Sequence, residues 1–151
     1  MSRLKRPASR EYDAAVGSAP RRRSGATGSR VGNAARVTLA AIRIFNGAIG
    51  LLAPSVTAKQ SGAPPDATAP TIYPWRLMGV RTVIIGTELL ARDPELREKA
   101  VRIALPIHAT DTVSAALGGL RGDVPKRTSI MLTLISGTNT VLALLARRTL
   151  R

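Results

Sequence analysis

The chain has 151 residues and a formal net charge of +14, with 44% hydrophobic but only 3% aromatic residues. This length accommodates one domain, and the lack of cysteine in the sequence excludes disulfides, thiolate metal sites and a cysteine nucleophile. The basic balance fits nucleic-acid binding, attraction to anionic lipid, or the cytoplasmic charge bias of a membrane protein, and the positions of the charges distinguish these.

The first 33 residues form a basic segment rich in Ser, Gly, Ala and Pro, without a period of 2 or 3.6. Such a segment cannot bury enough apolar area to offset its ordering entropy, so we expect residues 1–33 to be a disordered cytoplasmic tail. The run Arg21-Arg22-Arg23 is explained by a solvated charge run, although it can also bind anionic lipid or nucleic acid. A cleaved signal peptide is disfavoured, because Arg43 would interrupt its hydrophobic region.

Four apolar segments follow the tail, each 17 to 21 residues long, at residues 37–53, 75–91, 100–120 and 128–146. About 20 helical residues cross a hydrocarbon layer of about 30 Å. In the fourth segment the only polar residues are Ser, Thr and Asn139. Each of these helices lacks a charged face that could meet water, so it needs apolar surroundings on most sides. A soluble bundle of this size cannot bury four such helices in that way. The sequence therefore predicts an all-α fold, with residues 34–148 forming an integral membrane four-helix up-and-down bundle.

The connections between these segments set the expected orientation. A proline-rich loop covers residues 55–74, a charged connection covers 92–99 and a turn covers 121–127. Asp93 precedes Pro94 and is predicted to be a helix N-cap. With the tail in the cytoplasm, fifteen Lys and Arg lie inside and five outside. This bias predicts a multi-pass protein of the inner (plasma) membrane with both termini in the cytoplasm.

Ionisable residues within the spans are costly and are therefore the candidate functional residues. These candidates form a predicted intramembrane polar cluster of Arg43, Arg81, Glu88, His108 and Asp111. Arg81 and Asp111 both lie roughly 15 Å from the cytoplasmic ends of their helices, near the midplane. We therefore expect Arg81 to pair with Asp111 and Arg43 to pair with Glu88, so that the buried charges sum to zero.

This cluster has a structural interpretation, in which ion pairs fix the packing of the helices, and two functional ones. The functional interpretations are a proton relay and a pocket for an anion or a lipid headgroup. A metal site at His108 and Asp111 is not expected, because too few nitrogen or sulfur ligands are present. The sequence also lacks GxSxG, HExxH and phosphate-loop motifs, so we predict no catalytic residue, no cofactor and no enzyme activity.

A further indication comes from short motifs in the second and third spans. These are Gly79-Val80-Arg81 near the start of the second span, Gly86 further along it, and Asp111 within the third. On these features, residues 36–147 resemble the small bacterial four-helix membrane proteins of the DoxX-like type. The resemblance implies a four-helix up-and-down bundle with its polar residues inside, and it suggests no settled activity.

The leading functional hypothesis is a non-enzymatic membrane protein that acts by association with a membrane partner or with its own copies. It follows from the missing reaction motifs and from two helix stripes that combine small residues with polar ones, which allow helices to approach closely. One stripe consists of Arg43, Asn46, Gly47 and Gly50, and the other of Ala104, His108, Asp111, Ala115 and Gly118. One alternative is a small carrier or proton-linked permeability pathway using Arg81, His108 and Asp111. The other is a soluble, basic, helical nucleic-acid-binding protein, although nucleic acid is not the expected partner.

Overall fold

The computed structural model describes residues 23–64 and 68–150, and this part of the chain contains helices and no strand. The all-α prediction is thus confirmed for the described residues. Each of the four predicted apolar segments lies largely within a long helix. In chain order the helices are α1 (Arg23–Leu52), α2 (Pro54–Gln60), α3 (Ala69–Glu88), α4 (Pro94–Arg121) and α5 (Lys126–Ala146), followed by a 3-10 turn (Arg147–Leu150).

Two boundaries differ from the sequence prediction. Helix α1 begins at Arg23, inside the segment that was expected to be a tail; residues 1–22, with their expected disorder and lipid contact, lie outside the described residues. The proline-rich loop contains α2 and the first turn of α3, each with proline at its first or second position. Proline is tolerated there because the amide that it lacks has no partner in the first helical turn.

Helices α1 and α3 pack antiparallel with their backbones in direct contact at glycines. A Cβ atom added to Gly79 would lie 2.5 Å from the backbone nitrogen of Leu51 and 2.7 Å from the carbonyl oxygen of Gly47. A Cβ added to Gly47 would lie 2.8 Å from the backbone nitrogen of Val83. The absence of side chains therefore sets the distance between these two helices, as is common in membrane-spanning pairs.

Helices α4 and α5 form a second antiparallel pair, held by hydroxyl groups. The Oγ of Ser129 donates to the carbonyl oxygen of Ala115 at 2.8 Å, and the hydroxyls of Thr112 and Thr140 lie 3.1 Å apart. Asp93 caps the start of α4, as predicted, by accepting from the backbone amides of residues 95 and 96. Contacts between α1 and α5 join the two pairs, whereas α3 and α4 touch little.

A small apolar core lies where α3 ends and α4 begins. Its fully buried members are Leu39, Ala40, Leu89, Ala100, Val101, Ala104, Ala143 and Ala146. Among the described residues, Leu39, Leu89 and Val101 are the largest side chains that are fully buried. By contrast, twenty-two large hydrophobic side chains are exposed along the helices, including Phe45 and Leu134 at about two-thirds exposure. Five of the eight core residues are alanines, so the apolar interior holds mostly small side chains, whereas most of the large apolar ones lie on the surface.

Two helical stretches in the described part of the chain are long and apolar enough to cross a membrane. They are Ser29–Leu52 and Lys126–Leu150. Helices α3 and α4 are less apolar, because α3 carries two arginines and prolines and α4 begins with a charged turn. By length and composition, two of the four predicted spans thus meet the criterion for crossing a membrane.

Candidate functional site

One helical turn from the apolar core, each of the four long helices carries one buried residue: three of these residues are polar and the fourth is a glycine. These residues lie three or four positions along the helix from the core residues Leu39, Leu89, Ala104 and Ala143. They are Arg43 on α1, Gly86 on α3, His108 on α4 and Asn139 on α5. The turn runs forward along α1 and α4 and backward along α3 and α5, because neighbouring helices are antiparallel. We call these four residues the polar layer.

Arg43 and His108 form the central contact of the polar layer. Each side chain is about 5% exposed, and Nη1 of Arg43 lies 2.5 Å from Nε2 of His108. A guanidinium can only donate, so Nε2 must accept and the imidazole must be neutral with its proton on Nδ1. That Nδ1 atom lies 3.9 Å from Oδ2 of Asp111. Arg43, His108 and Asp111 are therefore arranged in series, from a buried positive charge to a carboxylate.

Neighbouring residues hold this contact in place. A Cβ added to Gly86 would lie 3.2 Å from the Cβ of Arg43, so the glycine provides the room in which the arginine side chain starts. On the other side, the hydroxyl of Thr112 donates to the carbonyl oxygen of His108 at 2.7 Å and also meets Thr140 on α5. The hydroxyl of Thr112 thus links the backbone at His108 to α5.

The polar layer also holds two buried atoms that are not matched by protein groups. They are Nε of Arg43, a donor, and Oδ1 of Asn139, an acceptor. Buried polar atoms are normally hydrogen-bonded, so these atoms can serve a small polar molecule. Within the described ranges, no group of three or more His, Asp and Glu side chains could hold a metal ion. The layer therefore combines a buried positive charge, a neutral imidazole and two unmatched polar atoms.

The two predicted ion pairs, Arg81 with Asp111 and Arg43 with Glu88, are wrong. In the part of the chain that the structure describes, Arg102 and Glu98 form a salt bridge, whereas the neutral His108 lies 3.9 Å from Asp111 and would form one only if it were protonated. Arg43 instead meets His108, and Arg81 and Asp111 are both exposed.

The glycines of α3 explain why the two predicted ion pairs do not form. Gly79 and Gly86 face α1, and Arg81 and Glu88 each follow one of them by two residues. Two residues correspond to about 200° around a helix, so Arg81 and Glu88 lie on the opposite side of α3 from α1. Depth along a helix does not determine which face of that helix is buried.

Two residues near this site were not among the sequence candidates. Asn139 is the only amide in the fourth segment and lies four residues before the core residue Ala143, a spacing that could have indicated its burial. Arg102 falls inside the third predicted span. It lies on an exposed face, where Nη2 is 2.5 Å from Oε1 of Glu98, so the charged start of α4 extends further than the sequence suggested.

Comparison with known proteins adds no further identification of the site. No protein-family model, no curated protein and no solved structure matches this chain. The resemblance of residues 36–147 to the DoxX-like proteins therefore stays a prediction.

Proposed function

We propose that this chain is a multi-pass inner-membrane protein whose helices α1, α3, α4 and α5 cross the bilayer, and that it acts by association with a membrane partner or with its own copies. The observation that carries the proposal is the distribution of side chains: small and polar groups inside, large apolar groups outside. Burying a Leu, Ile, Val or Phe side chain contributes about 1.5–3 kcal/mol. The exposed apolar residues are spread over all four long helices. Lipid hydrocarbon can surround all of these faces, whereas a single protein partner would cover only some of them.

The positive charges support one orientation of these helices. The ends of α1, α4 and α5 that lie beside the apolar core carry a basic set of Arg30, Arg36, Arg92, Arg97, Lys99, Arg102, Arg147 and Arg148. Helix α1 begins at this end, and the residues that precede it in the sequence are also basic. An excess of Lys and Arg marks the cytoplasmic side of membrane proteins, so we place this end, with both termini, in the cytoplasm.

Association with its own copies is favoured by two outward-facing charges. Arg81 on α3 and Asp111 on α4 are both exposed, and within the described part of the chain they do not pair with each other, although Asp111 lies 3.9 Å from Nδ1 of His108. Counted from the core residues Leu89 and Ala104, they lie roughly 12 and 10 Å above the core, at nearly the same height. A charge facing hydrocarbon costs on the order of 3 kcal/mol. A contact between Arg81 of one copy and Asp111 of another would relieve this cost for both.

Membrane extraction tests the location. We expect isolated membranes to retain the chain in high salt and in alkaline carbonate, and to release it in detergent. A soluble nucleic-acid-binding protein would instead be released by salt, because phosphate contacts weaken steeply with ionic strength. Release by salt or carbonate alone would refute the membrane proposal.

Charge exchange tests the association. We expect cross-linking in intact membranes to yield a species containing two or more copies of the chain, to weaken in Arg81→Asp and to recover in the double variant Arg81→Asp/Asp111→Arg. Arg121→Asp, which reverses an exposed charge near the end of α4, is the control and should leave cross-linking unchanged. Cross-linking that returned only monomer would count against association, and unrestored cross-linking in the double variant would exclude this charge pair.

A second candidate function is a small carrier or proton-linked permeability pathway, which the series of Arg43, His108 and Asp111 favours. The imidazole of His108 could pass its Nδ1 proton towards Asp111 and take up another at Nε2 once Arg43 releases that atom. In proteoliposomes, we would then expect Asp111→Asn to slow proton or solute flux. Flux that does not differ from wild type would exclude this function.

A further inference from the structure

A groove with a volume of about 600 Å³ opens at the basic end of the bundle, away from the polar layer. Residues of α1, the start of α4 and the closing 3-10 turn line it. Its polar lining consists of Ser29, Asn33, Arg36, Arg97, Glu98 and Thr149. Pro94 and Leu150 provide an apolar wall. The groove thus combines arginines, uncharged polar groups and an apolar surface.

The structure holds the two arginines of this groove in place. Arg36 donates to the carbonyl oxygen of Leu89, and its Nη2 donates to Oδ1 of Asn33 at 2.6 Å. Nη1 of Arg97 donates to the carbonyl oxygen of Ala91 at 3.0 Å. A guanidinium has five N–H groups, so each arginine keeps donors that these contacts do not use. Both side chains are therefore positioned in advance and can still bind a ligand.

The charges in the groove call for an anion. Arg36 and Arg97 both line the groove, so two positive charges lie around the same space. Glu98 is the carboxylate in the lining, but its Oε1 is bound by Nη2 of Arg102 at 2.5 Å. Two fixed positive charges thus share the groove, and the carboxylate beside them is bound by a third arginine.

We propose that this groove binds the anionic headgroup of a membrane phospholipid, with its phosphate on Arg36 and Arg97. Guanidinium groups bind phosphate oxygens through paired hydrogen bonds, and their weak hydration suits a site that is partly buried. Ser29, Asn33 and Thr149 supply further polar groups for the remaining headgroup oxygens.

The lipid source follows from the location of the groove, and it rests on the proposed membrane function. The groove lies at the cytoplasmic ends of the helices in that proposal, at the level of the headgroups of the inner leaflet. Its apolar wall suits the glycerol and the first acyl carbons of a lipid. A soluble phosphate ester shares the phosphate chemistry, so the experiment must separate the two.

The test measures lipid selectivity on the purified full chain in dodecyl maltoside. Native mass spectrometry compares the retention of phosphatidylglycerol and of phosphatidylcholine with identical acyl chains. We expect wild type to prefer phosphatidylglycerol, and Arg36→Gln/Arg97→Gln to lose roughly thirtyfold in apparent affinity, at roughly fivefold per arginine. Arg147→Gln/Arg148→Gln removes the same charge from the same end outside this groove, and it should retain most of the preference.

Every outcome decides for or against the groove. An equal loss in the two double variants would overturn the proposal, because general charge would then explain the binding, and so would a wild type without preference. If inorganic phosphate displaces the lipid at equal concentration, the groove binds a free phosphate ligand and not a lipid headgroup. If circular dichroism shows that the Arg36→Gln/Arg97→Gln variant has lost its helices, Arg97→Gln alone must show the fivefold loss.

The proposed function and this inference fail in different ways. A chain that carbonate extracts from membranes refutes the membrane location itself. A chain that carbonate leaves in the membrane, but that binds both lipids equally, refutes only the groove.

Discussion

The glycine contact between α1 and α3 gives the sharpest prediction, for the substitution Gly79→Ala. The added Cβ would lie 2.5 Å from the backbone nitrogen of Leu51, 2.7 Å from the carbonyl oxygen of Gly47 and 2.8 Å from the carbonyl carbon of Gly50. Ordinary contacts between heavy atoms are about 3.5 Å or longer, so the helices must separate by about 1 Å. All three obstructing atoms belong to the backbone, so no side chain can rotate away.

The magnitude follows from two opposing effects. Overpacking costs about 3 kcal/mol at the upper end of its usual range. Replacing glycine by alanine within a helix contributes about 1 kcal/mol of stability. We therefore expect Gly79→Ala to lower the free energy of unfolding by about 2 kcal/mol. The matched control is Gly137→Ala on α5, where the nearest atom to the new Cβ is Cγ2 of Thr112 at 3.9 Å; it should gain up to about 1 kcal/mol.

The assay is unfolding of the full chain in mixed micelles, titrated with sodium dodecyl sulfate and followed by far-UV circular dichroism. The prediction is a difference of about 3 kcal/mol between the two variants, with opposite signs relative to wild type. If Gly79→Ala were as stable as Gly137→Ala, the two backbones would not be in contact, and the account of α1 and α3 would be refuted.

Three further changes test other contacts by the same unfolding titration. A double-mutant cycle of Arg43→Met and His108→Leu should give a coupling free energy of about 1.5–3 kcal/mol, as expected for a hydrogen bond to a charged group; additive effects would exclude the contact. Asp93→Ala should lose about 1 kcal/mol with its N-cap, whereas Asp123→Ala, in the next connection, should change stability little. Ser129→Ala should cost about 1 kcal/mol by removing the hydrogen bond between α4 and α5, and unchanged stability would contradict that bond.

Much of the secondary structure could be predicted because apolar segments of helical length are local features of the sequence. The four segments, the N-cap at Asp93 and the turn after α4 all correspond to observed elements. At that turn Gly122 has a φ of +79°, a conformation that glycine adopts easily, and it ends α4 where the sequence places a turn. Capping and turn formation depend on a few neighbouring residues, so helix caps and turns can be predicted from the sequence.

The candidate site was predicted less completely, because partner choice depends on which helix faces pack. Charge and depth suggested that Arg81 meets Asp111, but the glycines of α3 place Arg81 on the opposite face. His108 was identified as a candidate, although its contact with Arg43 was not. Asn139 was missed, since an isolated amide in an apolar segment carries no charge to draw attention to it.

The sparse contact between α3 and α4 has a mechanical consequence. Each of these helices packs closely against its antiparallel neighbour, α1 or α5, so the long helices form two pairs that are joined along α1 and α5. If the two pairs separate, we expect the separation to begin between α3 and α4, where they are least in contact. The opening would run along the length of these helices, so it would expose the interior from the side rather than from either end of the bundle.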